Sequence, residues 1–319
     1  MKKPTLILTT VITALVVILF FSNKIESMIS FTNMNWLPYS IASTILLGIS
    51  MSLYKMPSFK GYSSFFSTFW TNIFSAFFVL LSLIIFGQSY LSGLLSISWY
   101  AIIWGGFFAI NMVLQKILLH SVETNSAYPV TSSIGSIVTV LIGITVLSEH
   151  VSLVQALGVI IILLSVFLFT RKSGSFPLDQ KTILLSLGII ASSTASKYVQ
   201  KLGAVNDSVT HFMLWQYLGA AIFAIFIAYI FEKRKFKEIT HLGKYWKGSA
   251  LIGLFSVLGG YAIFKALSIG PLSGVYAIHP AYTFIAAIFG FVFFKEKLTK
   301  KKIILALISI VGIILLKIG

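Results

Sequence analysis

The sequence has no cysteine and few acidic residues, with 8 Asp and Glu against 24 Lys and Arg. Disulfides, thiol catalysis and thiolate metal sites are therefore excluded. The five histidines show no metal-ligand spacing such as HExxH, and the chain has no GxxxxGK[ST] nucleotide-binding motif. We predict no cofactor and no metal.

Apolar residues dominate what remains, since 57% of the chain is hydrophobic and 10% is charged. A bilayer core about 30 Å thick needs about 20 apolar residues for each spanning helix. The apolar runs are too long for the strands of an outer-membrane barrel and lack their alternation. The sequence predicts an all-α integral membrane protein, multi-pass and in the plasma membrane, with no segment left for a soluble domain.

The apolar runs and their polar connectors predict eleven spans. They lie near residues 5–22, 37–54, 62–87, 98–120, 126–147, 152–170, 182–203, 208–231, 246–268, 273–294 and 299–317. The first run follows two lysines and lacks a small-x-small cleavage site, so residues 1–31 are predicted to be an uncleaved anchor, with a cleaved signal as the alternative.

The other ten spans divide into two similar groups of five at the connector RKSGSFPLDQK. We predict a first repeat at residues 37–170 and a second at 181–317. Residues recur at offsets of 142 to 147 in the pairs Gly143 and Gly290, Glu149 and Glu296, Ser152 and Thr299, Trp70 and Trp215, and Lys55 and Lys197. Because five is odd, the second copy enters the membrane from the opposite side, which makes the pair an inverted repeat.

Basic residues concentrate in alternate connectors of the ten-helix core. The positive-inside rule makes these connectors cytoplasmic and places both ends of the core outside. The opposite connectors offer little beyond Lys201. Topology therefore explains the net charge of +16, and no nucleic-acid partner is predicted.

The fourth and fifth spans of each half carry a motif. It reads SAYPVTSSIGSIVTVLIGITVLSEHVSLVQALGVIIILLSVFL in the first half and SGVYAIHPAYTFIAAIFGFVFFKEKLTKKKIILALISIVGIILL in the second. Each has a proline (Pro129, Pro280) and a glutamate (Glu149, Glu296). This pattern resembles the EamA-type module of the drug/metabolite transporter superfamily. The resemblance implies ten helices in two inverted repeats around a central substrate cavity, and family members often have both ends in the cytoplasm.

Each glutamate lies in a tight connector close to a helix start. A carboxylate there accepts backbone N–H bonds and meets the positive end of the helix dipole. We predict that Glu149 and Glu296 hold the hairpin between the last two helices of each half. A direct role in transport is the alternative.

Polar residues inside spans are the default functional candidates. The densest group is ASSTASKY, residues 191–198, which offers Ser193, Thr194, Lys197 and Tyr198 to a cavity. For each hydroxyl taken singly, the alternative is a hydrogen bond to its own helix or to a neighbouring helix, with no role in a cavity.

Three lysines fall within predicted spans. Lys197 and Lys265 lie one or two turns inside the predicted external ends, where they either snorkel outward or attract a carboxylate or phosphate. Lys116 is expected near the cytoplasmic end of its span, where a lysine is common.

Aromatic residues offer a second candidate lining. Trp70 and Trp215 stand at matching positions, with Asn72 and Gln216 nearby, and either frame the substrate or anchor helices at the lipid interface. Further lining candidates are Tyr261, Tyr276, His279 and Tyr282. Such a cage suits an organic cation through cation–π attraction.

We therefore predict a secondary transporter of a small polar metabolite, an amino acid or related compound, working by alternating access and not as an enzyme. A proton or ion is a possible coupling partner, and the functional unit is expected to be a monomer. An organic-cation transporter and a membrane enzyme acting on lipid are the alternatives. No Asp or Glu falls at the middle of a predicted span, so the membrane-embedded glutamate of small multidrug pumps is missing.

Overall fold

The structure is a computed structural model that describes residues 36–56, 62–86, 96–122, 124–170, 179–233, 242–294 and 299–318. The predicted N-terminal anchor and Glu296 lie outside these ranges. Regular structure within them is helical throughout.

The described helices fall on the predicted spans from residue 37 onward, with ends that differ by a few residues. They are α1 (Trp36–Leu53), α2 (Ser64–Phe86), α3 (Trp99–Ser121), α4 (Thr124–Thr145), α5 (Leu153–Thr170), α6 (Gln180–Asn206), α7 (Val209–Phe231), α8 (Leu242–Ile269), α9 (Leu272–Ile278), α10 (Tyr282–Phe294) and α11 (Lys300–Ile318).

Seven segments of the described chain are long and apolar enough to cross a membrane. They are Trp36–Leu53, Ser64–Ile85, Trp99–Ser121, Gln180–Asn206, Val209–Phe231, Tyr245–Ile269 and Leu272–Val292. Large apolar side chains cover the outside of the bundle, among them Ile84 at 78% exposed and Leu153 at 85%. Such a surface suits lipid, and the chain is an integral, multi-pass membrane protein.

Side chains cap several helix starts. Ser98 Oγ accepts from the Ala101 N–H at the start of α3, and Asp179 accepts from the Thr182 N–H at the start of α6. The hydrogen bond from Thr182 lowers the pKa of the exposed Asp179 carboxyl. These bonds satisfy N–H groups that have no partner inside the helix.

The principal helix packing joins the first five spans to the last five. Helix α1 packs on α8 and α3 packs on α6, while α7 packs on both α2 and α3, and α5 packs on α11. Hydrogen bonds cross these contacts: Ser50 Oγ lies 2.8 Å from Ser256 Oγ, and Asn111 Nδ2 donates to Ile189 O at 3.0 Å. The two groups of helices therefore interlock.

Glycines allow α5 and α11 to approach closely. A Cβ on Gly158 would lie 2.7 Å from the Gly312 carbonyl oxygen, and one on Gly312 would lie 2.8 Å from the Gly158 oxygen. Small residues of this kind let helix backbones approach within the membrane. Any larger side chain at either position would push the two helices apart.

The ninth span is broken. Helix α9 ends at Ile278, a 3₁₀ turn covers His279–Ala281, and α10 begins at Tyr282. Pro280 lies in this buried turn, where its missing N–H interrupts the ladder of helix hydrogen bonds. Its counterpart in the repeat, Pro129, lies within the continuous helix α4.

Candidate functional site

A cavity of about 80 Å³ lies among α1, α3, α4, α6, α7, α8 and the broken α9–α10 span. Each water needs about 10–15 Å³ of such volume, so the space matches roughly six waters or a compact ligand. Its lining combines amide, hydroxyl, aromatic and cationic side chains. This is the place where the structure gathers polar groups from both sets of helices.

One face of α6 supplies a wall of the cavity. Ser193, Ser196, Lys197 and Gln200 line it, and their spacing of three or four residues puts them on one helical face. Lys197 is 8% exposed, and its Nζ lies 5.1 Å from the ring centroid of Tyr276. Among the described residues the Lys197 ammonium has neither a hydrogen-bond acceptor nor a carboxylate partner. It therefore presents an unpaired donor to the cavity.

The broken span supplies the facing aromatic wall through Tyr276, His279 and Tyr282. The imidazole packs edge-on to both tyrosines, with ring centroids 5.5 Å from Tyr276 and 5.0 Å from Tyr282. Tyr276 Oη donates to Gln200 Oε1 at 2.6 Å, which ties this wall to α6. The break at Pro280 thus positions three rings beside Lys197.

Helix α3 adds a pair of amides one turn apart. Gln115 Nε2 donates to Asn111 Oδ1 at 2.8 Å, and Asn111 is held by Ile189 O on α6. Gln115 Oε1 and the indole Nε1 of Trp104 are buried without partners in the described structure. Both residues line the cavity, so an unpaired acceptor and an unpaired donor belong to its α3 wall.

Tyr54, Tyr217 and Ser256 complete the lining at the contact of α1, α7 and α8. Tyr217 Oη donates to Ser256 O at 2.8 Å, so its hydroxyl is already engaged. Gln216 lies beside them and also lines the cavity, as the sequence had predicted for this residue.

Lys116 lies behind Tyr54 and does not line the cavity. It is fully buried, and its Nζ donates to Ser67 Oγ at 3.2 Å and Thr68 Oγ1 at 3.1 Å while lying 5.3 Å from the Tyr54 ring centroid. Lys116 still lies five residues before the end of α3 at Ser121, but its side chain is buried in the bundle, which the sequence had not predicted. Hydroxyls of α2 make burial of this side chain tolerable.

Five residues of the predicted site lie outside the cavity lining: Asn72, Thr194, Tyr198, Tyr261 and Lys265. Thr194 is buried and its Oγ1 donates to Gly135 O at 3.4 Å, which joins α6 to α4. Asn72 is buried on α2, where its Nδ2 donates to Thr68 O. The direct role in lining predicted for these side chains is not what the structure shows.

The two tryptophans also stand outside the cavity. Trp70 packs against Phe69 and Phe74 on its own helix, with ring centroids at 5.3 and 6.2 Å. Trp215 is half-buried and absent from the lining. The paired tryptophans therefore do not line this cavity, and Trp104 and Phe108 are the neighbouring aromatic residues that do.

Glu149 binds a helix start, but one that belongs to the other half of the chain. Its carboxylate accepts from the Leu272 N–H at 2.6 Å and the Ser273 N–H at 2.8 Å, at the start of α9. The hairpin itself is capped by Ser152 and Gln155, which exchange backbone-to-side-chain bonds at the start of α5. The predicted hairpin role is thus corrected to a contact between helices α4–α5 and α9.

Sequence reasoning missed Trp104, Asn111, Gln115 and Gln200 as lining residues. A signal was present, since Asn111 and Gln115 are four residues apart in an apolar span, and Gln200 continues the polar face of Ser193 and Lys197. In the described residues no group of three His, Asp or Glu side chains is placed to hold a metal ion. The cavity offers hydrogen bonding and one charge.

Comparison with known proteins gives a family match over part of the chain and matches to solved structures. Residues 180–318 match the model of the EamA-like transporter family. A protein of known crystal structure superposes with a TM-score of 0.66 at 12% sequence identity, covering 86% of this chain and 98% of its own. At that identity the likeness shows a shared fold alone. No curated protein matches the sequence.

The match over residues 180–318 covers α6 to α11, which supply Lys197, Tyr276 and His279 to the cavity. The family match and the apolar helices both indicate a membrane protein. Residues 180–318 of this chain are similar to the EamA-like transporter family, and the long apolar helices make the chain an integral, multi-pass membrane protein.

Proposed function

We propose that this protein is a secondary transporter that moves a small metabolite bearing a carboxylate, an amino acid or related compound, across the plasma membrane. The observation that carries the proposal is the buried, unpaired Lys197 ammonium in the cavity. An isolated buried cation is costly unless it is paired, so an anionic group of the substrate is the partner that it lacks.

The other unpaired groups favour a substrate with donors and acceptors at separate points. Trp104 Nε1 is a second donor, and Gln115 Oε1 is an acceptor for an amine or hydroxyl. A cavity of about 80 Å³ suits a compact molecule of this kind. Together these groups match an amino acid better than a sugar, which carries no charge for Lys197.

Alternating access between two inverted repeats, residues 37–170 and 181–317, is the mechanism we propose. The packing is consistent with it, because exchanging the halves turns the α1–α8 contact into the α6–α3 contact. The broken ninth span also fits, since transporters of this type build sites at discontinuous helices. Substrate bound beside Lys197 would be exposed to each side in turn, in a monomer, with a proton or ion as coupling partner.

An organic cation is the second candidate substrate. Six aromatic residues line the cavity: Tyr54, Trp104, Phe108, Tyr217, Tyr276 and Tyr282. Such rings attract a quaternary amine through cation–π contacts. The Lys197 ammonium opposes a second cation in the same small space, so we rank this substrate below a carboxylate.

A thermal-shift screen of the purified protein against amino acids, organic anions, quaternary amines and sugars tests the proposal. A ligand that binds the folded state raises the melting temperature with concentration. We expect a carboxylate to do so, and Lys197→Ala to abolish the shift. Trp215→Ala is the control, because this residue lies outside the cavity lining.

Two results would contradict the carboxylate assignment. One is a carboxylate shift that survives Lys197→Ala unchanged. The other is an amine that stabilises both wild type and Lys197→Ala but not Tyr276→Ala, which would establish the aromatic cage instead.

A further inference from the structure

The connector between α4 and α5 is folded so that Glu149 points away from its own hairpin. Ser148 adopts a left-handed conformation with φ 53°, and the Glu149 N–H donates back to Gly143 O at 3.1 Å. This is the arrangement of a helix C-cap, and it turns the chain sharply after α4. The half-buried carboxylate is thereby aimed at the start of α9.

There each carboxylate oxygen of Glu149 accepts one backbone hydrogen bond. Oε1 accepts from the Leu272 N–H at 2.6 Å and Oε2 from the Ser273 N–H at 2.8 Å. We call this pair of bonds the Glu149 latch. Because Ser152 and Gln155 already cap α5, the latch is not needed to hold the hairpin. Its effect is to tie the end of α4 to α9.

Lys201 holds the other side of the same turn. Its Nζ donates to Leu267 O and Gly270 O, both at 2.8 Å, at the end of α8. The turn between α8 and α9 is therefore held from two sides. The Glu149 carboxylate accepts from its N–H groups, and the Lys201 ammonium donates to its carbonyl groups. Both charges suit the helix ends that they face.

The latch lies at one end of the cavity. Lys201 follows the cavity residue Lys197 by one turn on α6, about 6 Å along the helix, and Ser273 precedes the cavity residue Tyr276 by three residues on α9. Helices α4, α6 and α8 all end here, as expected of successive crossings in which every second helix ends on the same face. The latch thus stands between the cavity and one membrane surface.

We propose that the Glu149 latch is a gate contact, which keeps the cavity closed toward this surface and opens when the transporter exposes the cavity there. This inference rests on the alternating access proposed above. The contact is suited to repeated breaking. Near the membrane surface, water can replace either partner, since it donates to the free carboxylate and accepts from the free N–H groups at the helix start. A permanent structural tie would not require exchangeable partners.

Cysteine labelling tests the proposal without knowledge of the substrate. The chain has no cysteine, so Ser193→Cys places a single thiol in the cavity lining. A small, membrane-impermeant methanethiosulfonate is applied to right-side-out and to inverted vesicles. Val205→Cys, at the exposed end of α6, reports which preparation presents the latch face.

Adding Glu149→Gln should accelerate labelling of Ser193→Cys from the latch face by about tenfold, the effect of losing one charge-assisted hydrogen bond on a two-state equilibrium. Labelling from the opposite face should not rise. Gly143→Ala should act in the same direction, because its Cβ would lie 2.6 Å from Glu149 Oε2 and 3.1 Å from the Ser273 N. Gly143→Ala keeps the Glu149 carboxylate and only displaces it from the N–H groups of α9.

Glu232→Gln is the matched control, since it removes a carboxylate that accepts from Ser63 Oγ at the start of α2, away from the latch. Unchanged latch-face labelling in well-folded Glu149→Gln and Gly143→Ala would overturn the gate, as would an equal rise from both faces. If Ser193→Cys is labelled from neither face in any background, alternating access itself fails, and the gate falls with it.

Discussion

Lys116 and Lys197 lie on helices that pack together, both are buried, and each ammonium lies about the same distance from a tyrosine ring, 5.3 Å and 5.1 Å. They differ in their other partners. Two hydroxyls of α2 receive the Lys116 hydrogen bonds, whereas within the described residues nothing accepts from Lys197. Burial of a lysine in a membrane helix therefore does not by itself mark a site. In our proposal, the unmet hydrogen-bonding capacity of Lys197 is what marks it as a substrate-binding residue.

The strongest test of this difference is Lys197→Met. We expect the dissociation constant of the best stabilising carboxylate to rise at least about tenfold, since a hydrogen bond to a charged group contributes about 1.5–3 kcal/mol. The melting temperature without ligand should not fall, because the change removes an unpaired buried charge. Thermal-shift titration measures both. An unchanged dissociation constant would remove Lys197 from the site.

Lys116 should show the reverse behaviour. Lys116→Ala should lower the free energy of unfolding by about 2 kcal/mol through the space that it leaves. Lys116→Met should recover most of that loss, because it fills the space and Thr68 Oγ1 is already bonded to Ser64 O. Neither variant should change carboxylate affinity more than about threefold. A large loss of affinity in Lys116→Met would show that the two lysines share one function.

Tyr276→Phe separates the ring from its hydroxyl. The ring would still face Lys197, while the bond to Gln200 is lost. We expect a loss of about 1 kcal/mol in stability and a smaller change in affinity than Lys197→Met produces. Comparison with Gln200→Leu in the same assay checks the cause, because the two variants remove the same bond from opposite ends. If the stability losses of the two single variants add fully in the double variant, the lost hydrogen bond is not their common cause.

The smallest effect should come from Lys265→Ala. This lysine is half-buried and lies outside the cavity lining, so stability should change by no more than about 0.5 kcal/mol and affinity should stay as in wild type. Thermal-shift titration beside Lys197→Met makes the contrast direct. A loss of affinity here would mean that charge near the bundle, and not contact in the cavity, sets the preference for carboxylates.

Periodicity and hydropathy predicted the helices well, because membrane spans are specified by long apolar runs that polar connectors interrupt. The predicted span at 208–231 and α7 at Val209–Phe231 are an example. The break at His279–Ala281 was not predicted, although Pro280 had been singled out. A proline in a span bends or interrupts the helix only where its neighbours permit, as the unbroken run of α4 through Pro129 illustrates.

The site was less predictable than the fold. Of the predicted lining residues, Ser193, Lys197, Gln216, Tyr276, His279 and Tyr282 do line the cavity. The paired tryptophans do not line it, because sequence offset reveals which positions correspond but not which face of a helix meets the cavity. Glu149 shows the same limit, since its motif predicted a bond to a helix start and only the packing identifies that helix as α9.

The contact of α5 with α11 has a consequence for synthesis. The glycines that let these helices meet lie 154 positions apart, as Gly158 and Gly312. A helix inserted early therefore resides in the bilayer with its packing groove filled by lipid until α11 emerges from the ribosome. The contact of α5 with α11 can therefore form only after both helices have been inserted. A chain released before Gly312 would leave the packing surface of α5 exposed to lipids or to quality-control proteases.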